Sequence, residues 1–218
     1  IEPERTGIVM GTAMAGIATI AYTQEALTGA SHKMVGPRFI PKILGNIAAA
    51  NIAIDYNIQG PSFTVSTACS SGGDAINTAC MCMQSGKADI MLAVGAESVL
   101  CPLVIYSLAN AKALSRRNDS PSTASRPFDV TRDGLVIGEG GGALVLETEE
   151  SANGRNAHKY AEIKGYAQAH RPVSYDNSEV DSKAVVEVIE KACVNAGIEA
   201  DNIDFVCCDD RKIIKTLM

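Results

Sequence analysis

The chain predicts an α/β fold whose sheet is covered on both faces. Three observations lead there. Short, nearly continuous apolar runs (Thr6 to Gly11, Phe63 to Thr67, Asp89 to Val94) alternate with segments of helical spacing. Runs without polar interruption suit strands buried on both sides, and such strands alternating with helices imply a layered architecture. At 218 residues and 46% hydrophobic composition, the chain can bury a substantial core.

Taken in order, Thr6 to Gly11 is the first expected strand, closed by glycine. Pro41 opens an Ala- and Ile-rich helical stretch to about Tyr56, since proline in a first turn sacrifices no hydrogen bond and presets φ. Phe63 to Thr67 is the next strand. From about Gly73 to Gln84, Ile76, Ala79, Cys80 and Met83 recur at helical spacing, with Gly86 as the stop. Asp89 to Val94 is a third strand. Residues 115–141 form a long loop rich in Ser, Arg, Asn, Asp, Pro and Gly; a loop of that length is functional or disordered, and Pro127-Phe128-Asp129 favours order. Ala143 to Glu147 and Tyr160 to Ala169 read as two further strands around the polar segment Glu149 to Lys159. Ser182 to Ala196 is an amphipathic helix with Val185, Val188, Ile189 and Ala192 on one face; Gly197 ends it, and Ile203 to Cys207 reads as a last strand.

Composition narrows the function. A net charge of −6 and the absence of tryptophan argue against a nucleic-acid surface. No run approaches the roughly eighteen apolar residues of a membrane span. Ile1-Glu2-Pro3-Glu4-Arg5 has no basic region followed by an apolar one, so no signal peptide is expected. Seven cysteines without paired spacing fit a reducing, cytoplasmic setting better than a disulfide framework.

The most informative segment is Val65-Ser66-Thr67-Ala68-Cys69-Ser70-Ser71-Gly72-Gly73. An apolar stretch runs into a cysteine, small residues follow, and a helix begins. That junction sets the sulfur at a helix N-terminus, where unpaired N–H groups and the dipole favour negative charge. Gly72 and Gly73 leave room for close approach. Cys69 is therefore the candidate nucleophile, although a cysteine taken at random is a buried structural residue. Other patterns are weaker. Gly138-Glu139-Gly140-Gly141-Gly142-Ala143 satisfies G-x-G-x-x-A but precedes a strand-like run, so a backbone turn is expected in place of a dinucleotide site. Cys80-Met81-Cys82 and Cys207-Cys208 lack metal-site spacing, and no metal is expected. No G-x-S-x-G is present. Arg126 and Arg132 stand beside Asp129 and Asp133, which favours pairing inside the loop.

Gly60-Pro61-Ser62 leading to Thr67-Ala68-Cys69-Ser70-Ser71-Gly72 resembles the nucleophile segment of the β-ketoacyl-[acyl-carrier-protein] synthases, nearest to the elongating type II and polyketide ketosynthases. Further stretches match in the same order: Gly7 to Thr12, Phe39-Ile40-Pro41 with Asn46, Ala88 to Glu97, and Ala113 to Asp119 followed by Ala124-Ser125-Arg126-Pro127-Phe128-Asp129 and Gly138-Glu139-Gly140. The resemblance implies a thiolase-like α-β-α-β-α layered fold, incomplete here. Residues 1–170 would be the N-terminal core without its first strand–helix–strand, and 171–218 the beginning of the C-terminal half.

It also implies a mechanism. Cys69 accepts an acyl group from a phosphopantetheine thioester, and a malonyl thioester then loses carbon dioxide and attacks the acyl-enzyme. Phe39, Met14, Ala68 and Leu108 match substrate-binding positions. Lys33 and Lys112 match positions that contact acidic acyl carrier protein. The strand Ser62 to Thr67 matches a dimer-interface strand, so a homodimer is expected. No cofactor is implied beyond the phosphopantetheine that the carrier protein brings. In the family two histidines and a lysine stabilise the enolate; His32, His158 and His170 match neither histidine, and the expected Ala-His-Gly-Thr does not follow Asp204-Phe205-Val206. Three accounts stay open: a fragment of a complete synthase, one half of a split enzyme, or a non-condensing partner subunit. Retention of Cys69 weighs against the last.

Overall fold

A computed structural model describes residues 1–29, 35–170 and 182–207. The chain divides into two compact units, Ile1–Lys112 with Ile137–His158, and Ala113–Val136 with Lys159–Met218. The boundary expected at 170/171 lies outside the described residues.

The first unit is built on a four-stranded sheet in the order β2-β1-β3-β4. Its strands are β1 (Thr6–Gly11), β2 (Ser62–Val65), β3 (Ile90–Glu97) and β4 (Gly140–Glu147). β2 and β3 lie parallel to β1 on either side, and β4 runs antiparallel to β3. Every residue of β1 is buried, as its unbroken apolar run implies. Its side chains alternate between two cores. Val9, with Met91 and Ala93 of β3, packs against Ala75, Ala79 and Cys82 of helix α4 (Ser71–Gln84). Ile8 and Met10, with Val94, pack against Ala49, Ile52 and Ala53 of helix α3 (Ile47–Asp55). The face of α4 that is most buried is thus set by Ala75, Ala79 and Cys82, with Ile76 and Met83 packing at its margin and Cys80 half-buried. Gly86 closes the helix at φ +69°, its N–H donating to Met83 O and that of Lys87 to Cys82 O, a left-handed cap that glycine adopts without strain.

Several expectations need correction. The single helix expected over Pro41 to Tyr56 is two, α2 (Phe39–Ile43) and α3, because Leu44 is extended (ψ 127°) and Gly45 and Asn46 are poor helix formers. Helices α1 (Ile17–Gly29) and α5 (Pro102–Asn110) were not expected. Gly140–Gly142 form the start of β4 and not a turn, with Gly141 opposite Ala96. The polar segment after β4 contains a short helix, α6 (Glu149–Gly154), whose Thr148 cap accepts from Ser151 N–H.

In the second unit, helix α7 (Ser182–Ala196) appears as expected. Tyr160 to Ala169 and Ile203 to Cys207 are not strands: neither pairs with another strand among the described residues. Residues near 165 instead lie along α7, where Tyr166 N–H donates to Asn195 Oδ1 and a Cβ on Gly165 would stand 2.5 Å from Ala192 O. In the loop, Arg126 faces Asp129 at 3.9 Å, whereas Asp133 accepts from Ser115 Oγ and Arg116 N–H and not from Arg132.

Ion pairs close the amino ends of β1 and β3. Arg5 holds Asp89 with two hydrogen bonds, at 2.6 and 2.9 Å, and donates to Gly86 O. Arg155 and Ser151 hold Glu147, the last residue of β4. The Arg155 guanidinium, helped by Ser151, keeps the Glu147 carboxyl below the usual range against the opposing effect of burial, and Arg5 does the same for Asp89. Depressed values mean that this stability is fully present above the ordinary carboxylate range and is lost as pH falls through the lowered values. Glu147→Gln is expected to lower the melting temperature near pH 7 and to have a smaller effect near pH 3, in thermal unfolding followed over about pH 3–7.

Candidate active site

Between β2 and α4 the chain must turn from an extended strand into a helix within five residues, Ser66 to Ser70. It does so through one 3₁₀ turn, Ala68–Ser70, with Cys69 at its centre and α4 beginning at Ser71. Ala68 takes φ +53°, a left-handed conformation that costs a non-glycine residue about 1–2 kcal/mol. Strain of that kind persists only where surrounding contacts over-determine it.

Those contacts converge on Thr67 and Ser71. Thr67 N–H donates to Ser71 Oγ at 2.9 Å, and Ser71 Oγ donates to Ala68 O at 2.6 Å. Thr67 O accepts from Ser70 N–H and from Ser70 Oγ. Thr67 Oγ1 donates to the carboxylate of Asp74, one turn into α4, and Ser70 Oγ reaches the same oxygen at 3.2 Å. The turn also rests on β1: a Cβ on Gly11 would stand 2.2 Å from Ser71 O. Only glycine permits that backbone-to-backbone approach.

Cys69 is exposed, unlike the buried Cys82, Cys101 and Cys193. With Ala68 it lines an open cleft of about 450 Å³ at the carboxyl ends of β1 and β3, walled by Gly11, Gly72, Gly95 and Gly140–Gly142. Thr12, Ala96, Glu97, Gly140 and Gly141 are shared with a second cavity of about 910 Å³ that extends past Pro41, Lys42 and Leu44. Glu97, the last residue of β3, orders the rim: it accepts from Ala13 N–H at 2.6 Å, Met14 N–H at 3.0 Å and Thr12 Oγ1 at 3.3 Å. Glu139 does the same for the turn after β3, accepting from Ser98 Oγ and Leu100 N–H.

Ala68 therefore stands with Cys69. Met14 and Phe39 line neither cavity, although their neighbours Ala15 and Pro41 line the larger one. Leu108 packs instead against Val99, Cys101 and Val104. Lys112 is exposed just after α5, and Lys33 lies outside the described residues. Sequence reasoning missed Gly11, Asp74 and Glu97. A polar residue ending an otherwise apolar strand, as Glu97 does, was the available signal. Among the described residues no three His, Cys, Asp or Glu side chains converge as metal ligands.

Two outcomes are expected. Iodoacetamide near neutral pH labels Cys69 before Cys80, Cys82, Cys101 and Cys193 in peptide mapping, since the last three are buried and burial pushes the Cys80 thiol up. Labelling of Cys69 no faster than Cys101 would contradict the exposed-elbow geometry. Ala68→Val lowers stability by about 1–2 kcal/mol in urea unfolding, because a β-branched residue resists φ > 0, whereas Ala68→Gly is neutral or stabilising.

A family model described as the β-ketoacyl synthase N-terminal domain matches residues 1–152. The mitochondrial 3-oxoacyl-[acyl-carrier-protein] synthase of Arabidopsis thaliana is 38% identical over 206 residues, 94% of this chain and 45% of that protein. The 3-oxoacyl-[acyl-carrier-protein] synthase 2 of Rhizobium meliloti (strain 1021) is 37% identical over 202 residues, 92% of this chain and 48% of that protein. Among solved structures, a type II PKS acyl-carrier protein in complex with its ketosynthase bound to the hexaketide aligns with TM-score 0.87 and 32% identity, over 94% of this chain and 52% of that chain. The chain thus spans about half the length of the curated relatives it matches. With the fold and an exposed cysteine at the strand–helix elbow in agreement, the chain belongs to the β-ketoacyl synthase family, to its N-terminal domain.

Proposed function

We propose that Cys69 is the acyl-accepting nucleophile of a β-ketoacyl-[acyl-carrier-protein] synthase acting in fatty acid or polyketide biosynthesis. The observation that carries this reading is the exposed Cys69 sulfur, set on a strained turn at the head of α4 beside an open cleft. In the first stage the Cys69 thiolate attacks the thioester carbonyl. The new C–S bond forms as the bond to phosphopantetheine breaks, and the released thiol takes up a proton. The backbone N–H of Cys69 is one donor for the tetrahedral oxyanion. In the second stage a malonyl thioester loses carbon dioxide, its enolate carbon bonds to the acyl carbonyl carbon, and the Cys69 thiolate leaves. The enolate needs donors that none of His32, His158 and His170 matches in the family pattern, so Cys69 and its turn carry the acyl-accepting half of the chemistry.

The partner on this reading is an acyl carrier protein, which brings the phosphopantetheine; no other cofactor is invoked. The solved ketosynthase–carrier-protein complex supports it by likeness. Lys112, exposed at the end of α5, and Lys33 would meet its acidic surface. A homodimer would form through β2, which lies at the edge of the sheet with Phe63 partly exposed. Free thiols among the described residues favour a reducing compartment such as the cytoplasm, and no described helix is long and apolar enough to cross a membrane.

The decisive experiment is acyl transfer from an acyl-phosphopantetheine thioester to the 218-residue chain, read by intact mass and peptide mapping. Acylation is expected at Cys69. Cys69→Ala abolishes it, and carbon dioxide release from malonyl thioester is not expected. Acylation that persists in Cys69→Ala, or carbon dioxide release that Cys69→Ala abolishes, would overturn the assignment of roles.

A further inference from the structure

Asp74 is a carboxylate with only 7% of its surface exposed, in a helix whose apolar neighbours Ala75 and Ala79 are fully buried. Burying a carboxylate is costly, because its desolvation must be offset by hydrogen bonds. Here its Oδ2 accepts from Thr67 Oγ1 on one side of Cys69 and lies 3.2 Å from Ser70 Oγ on the other, whose single proton it shares with Thr67 O. Both donors belong to the strained turn, and neither belongs to the core that α4 covers. Asp74 also sits in the first turn of α4, where the helix dipole favours an anion and the side chain can reach back over the preceding residues.

The other ties of the turn run through its backbone and Ser71, and Asp74 is the group that links the Thr67 side chain to α4. Ser71 ties Thr67 N–H and Ala68 O together, yet that link spans only the left-handed residue and the start of the helix. Ser70 N–H already joins the two ends of the Cys69 loop through Thr67 O; without the carboxylate, the Thr67 side chain loses its anchor on α4.

We propose that Asp74 is the positioning residue for Cys69: by gripping Thr67 and Ser70 it holds Ala68 at positive φ and keeps the sulfur at the amino end of α4. This deepens the reading of Cys69 as nucleophile and rests on it. Its test uses iodoacetamide, which needs no acyl donor, so failure of acyl transfer and failure of positioning are told apart.

The measurement is the ratio of Cys69 to Cys207 alkylation rates in the full chain, Cys207 being an exposed cysteine outside the turn. Charged hydrogen bonds of this kind correspond to about a tenfold change when lost. Asp74→Ala is expected to lower the ratio about tenfold while Cys82 and Cys101 stay protected. Asp74→Asn, which keeps an acceptor oxygen, is expected to restore most of it. Thr67→Val removes the donor without touching the carboxylate, is close in shape, and decides the matter should Asp74→Ala not fold; it is also expected to lower the ratio. An unchanged ratio in Thr67→Val, or Asp74→Asn no better than a folded Asp74→Ala, overturns the proposal. So does labelling of Cys82 and Cys101 in step with Cys69 in Thr67→Val, which would mark a general loosening.

Discussion

At the carboxyl end of β1 the backbone of one element lies directly on the backbone of another. A Cβ on Gly11 would fall 2.2 Å from Ser71 O and 2.9 Å from Gly72 N, so the strand and the head of α4 touch without any side chain between them. Much of the first unit depends on that contact. It sets the height of α4 above the sheet, which lets Ala75, Ala79 and Cys82 reach Val9, Met91 and Ala93. It also anchors the residue from which the Cys69 turn is hung, since Ser71 supplies the hydroxyl bonded to Thr67 and Ala68. A backbone contact cannot slide by rotamer change, so the head of α4 stays registered on β1 while side chains hold the turn that precedes it.

The two ends of this sheet are finished by different chemistry. At the amino ends of β1 and β3, opposite charges pair: Arg5 with Asp89, and Arg155 with Glu147 beside them. At the carboxyl ends the carboxylates grip amides and hydroxyls. Glu97 accepts from the amides of Ala13 and Met14, Glu139 from that of Leu100, and Asp74 from the Thr67 hydroxyl with that of Ser70 beside it. The exposed Arg5–Asp89 pair contributes little individually, whereas Glu147 is nearly buried and needs Arg155. Carboxylates that hold backbone and hydroxyl donors order loops instead, and loops beyond the carboxyl ends of parallel strands are where such sheets place their sites. The Cys69 cleft lies at that end.

How much was legible in advance varied by element. β1, β2, α4 and α7 were read within a residue or two because their apolar spacing is strong and glycines at 86 and 197 mark the helix ends, while β3 runs three residues past the expected Val94. α1 was missed: Ile17–Gly29 mixes apolar residues, threonines and a late glycine with almost no amphipathic periodicity. α5 could have been found, since Pro102 occupies its first turn after the extended Cys101. Tyr160 to Ala169 alternates as a strand does, but β-pattern becomes β-structure only with a ladder partner, and none pairs with it among the described residues.

The sequence by itself determined that a cysteine would stand where a strand gives way to a helix, and that β1 and most of β3 would be buried; the edge strands β2 and β4, expected to be covered too, are largely exposed. Both follow from local pattern: unbroken apolar runs, helical spacing and small residues after Cys69. What the tertiary structure decided was everything that holds the sulfur in place. The left-handed Ala68, the reach of Asp74 back to Thr67 and Ser70, and the contact of Gly11 with Ser71 join positions up to sixty residues apart. No spacing rule links them, because they meet only once β1, β2 and α4 have been brought together by burial of Val9, Ala75 and Met91.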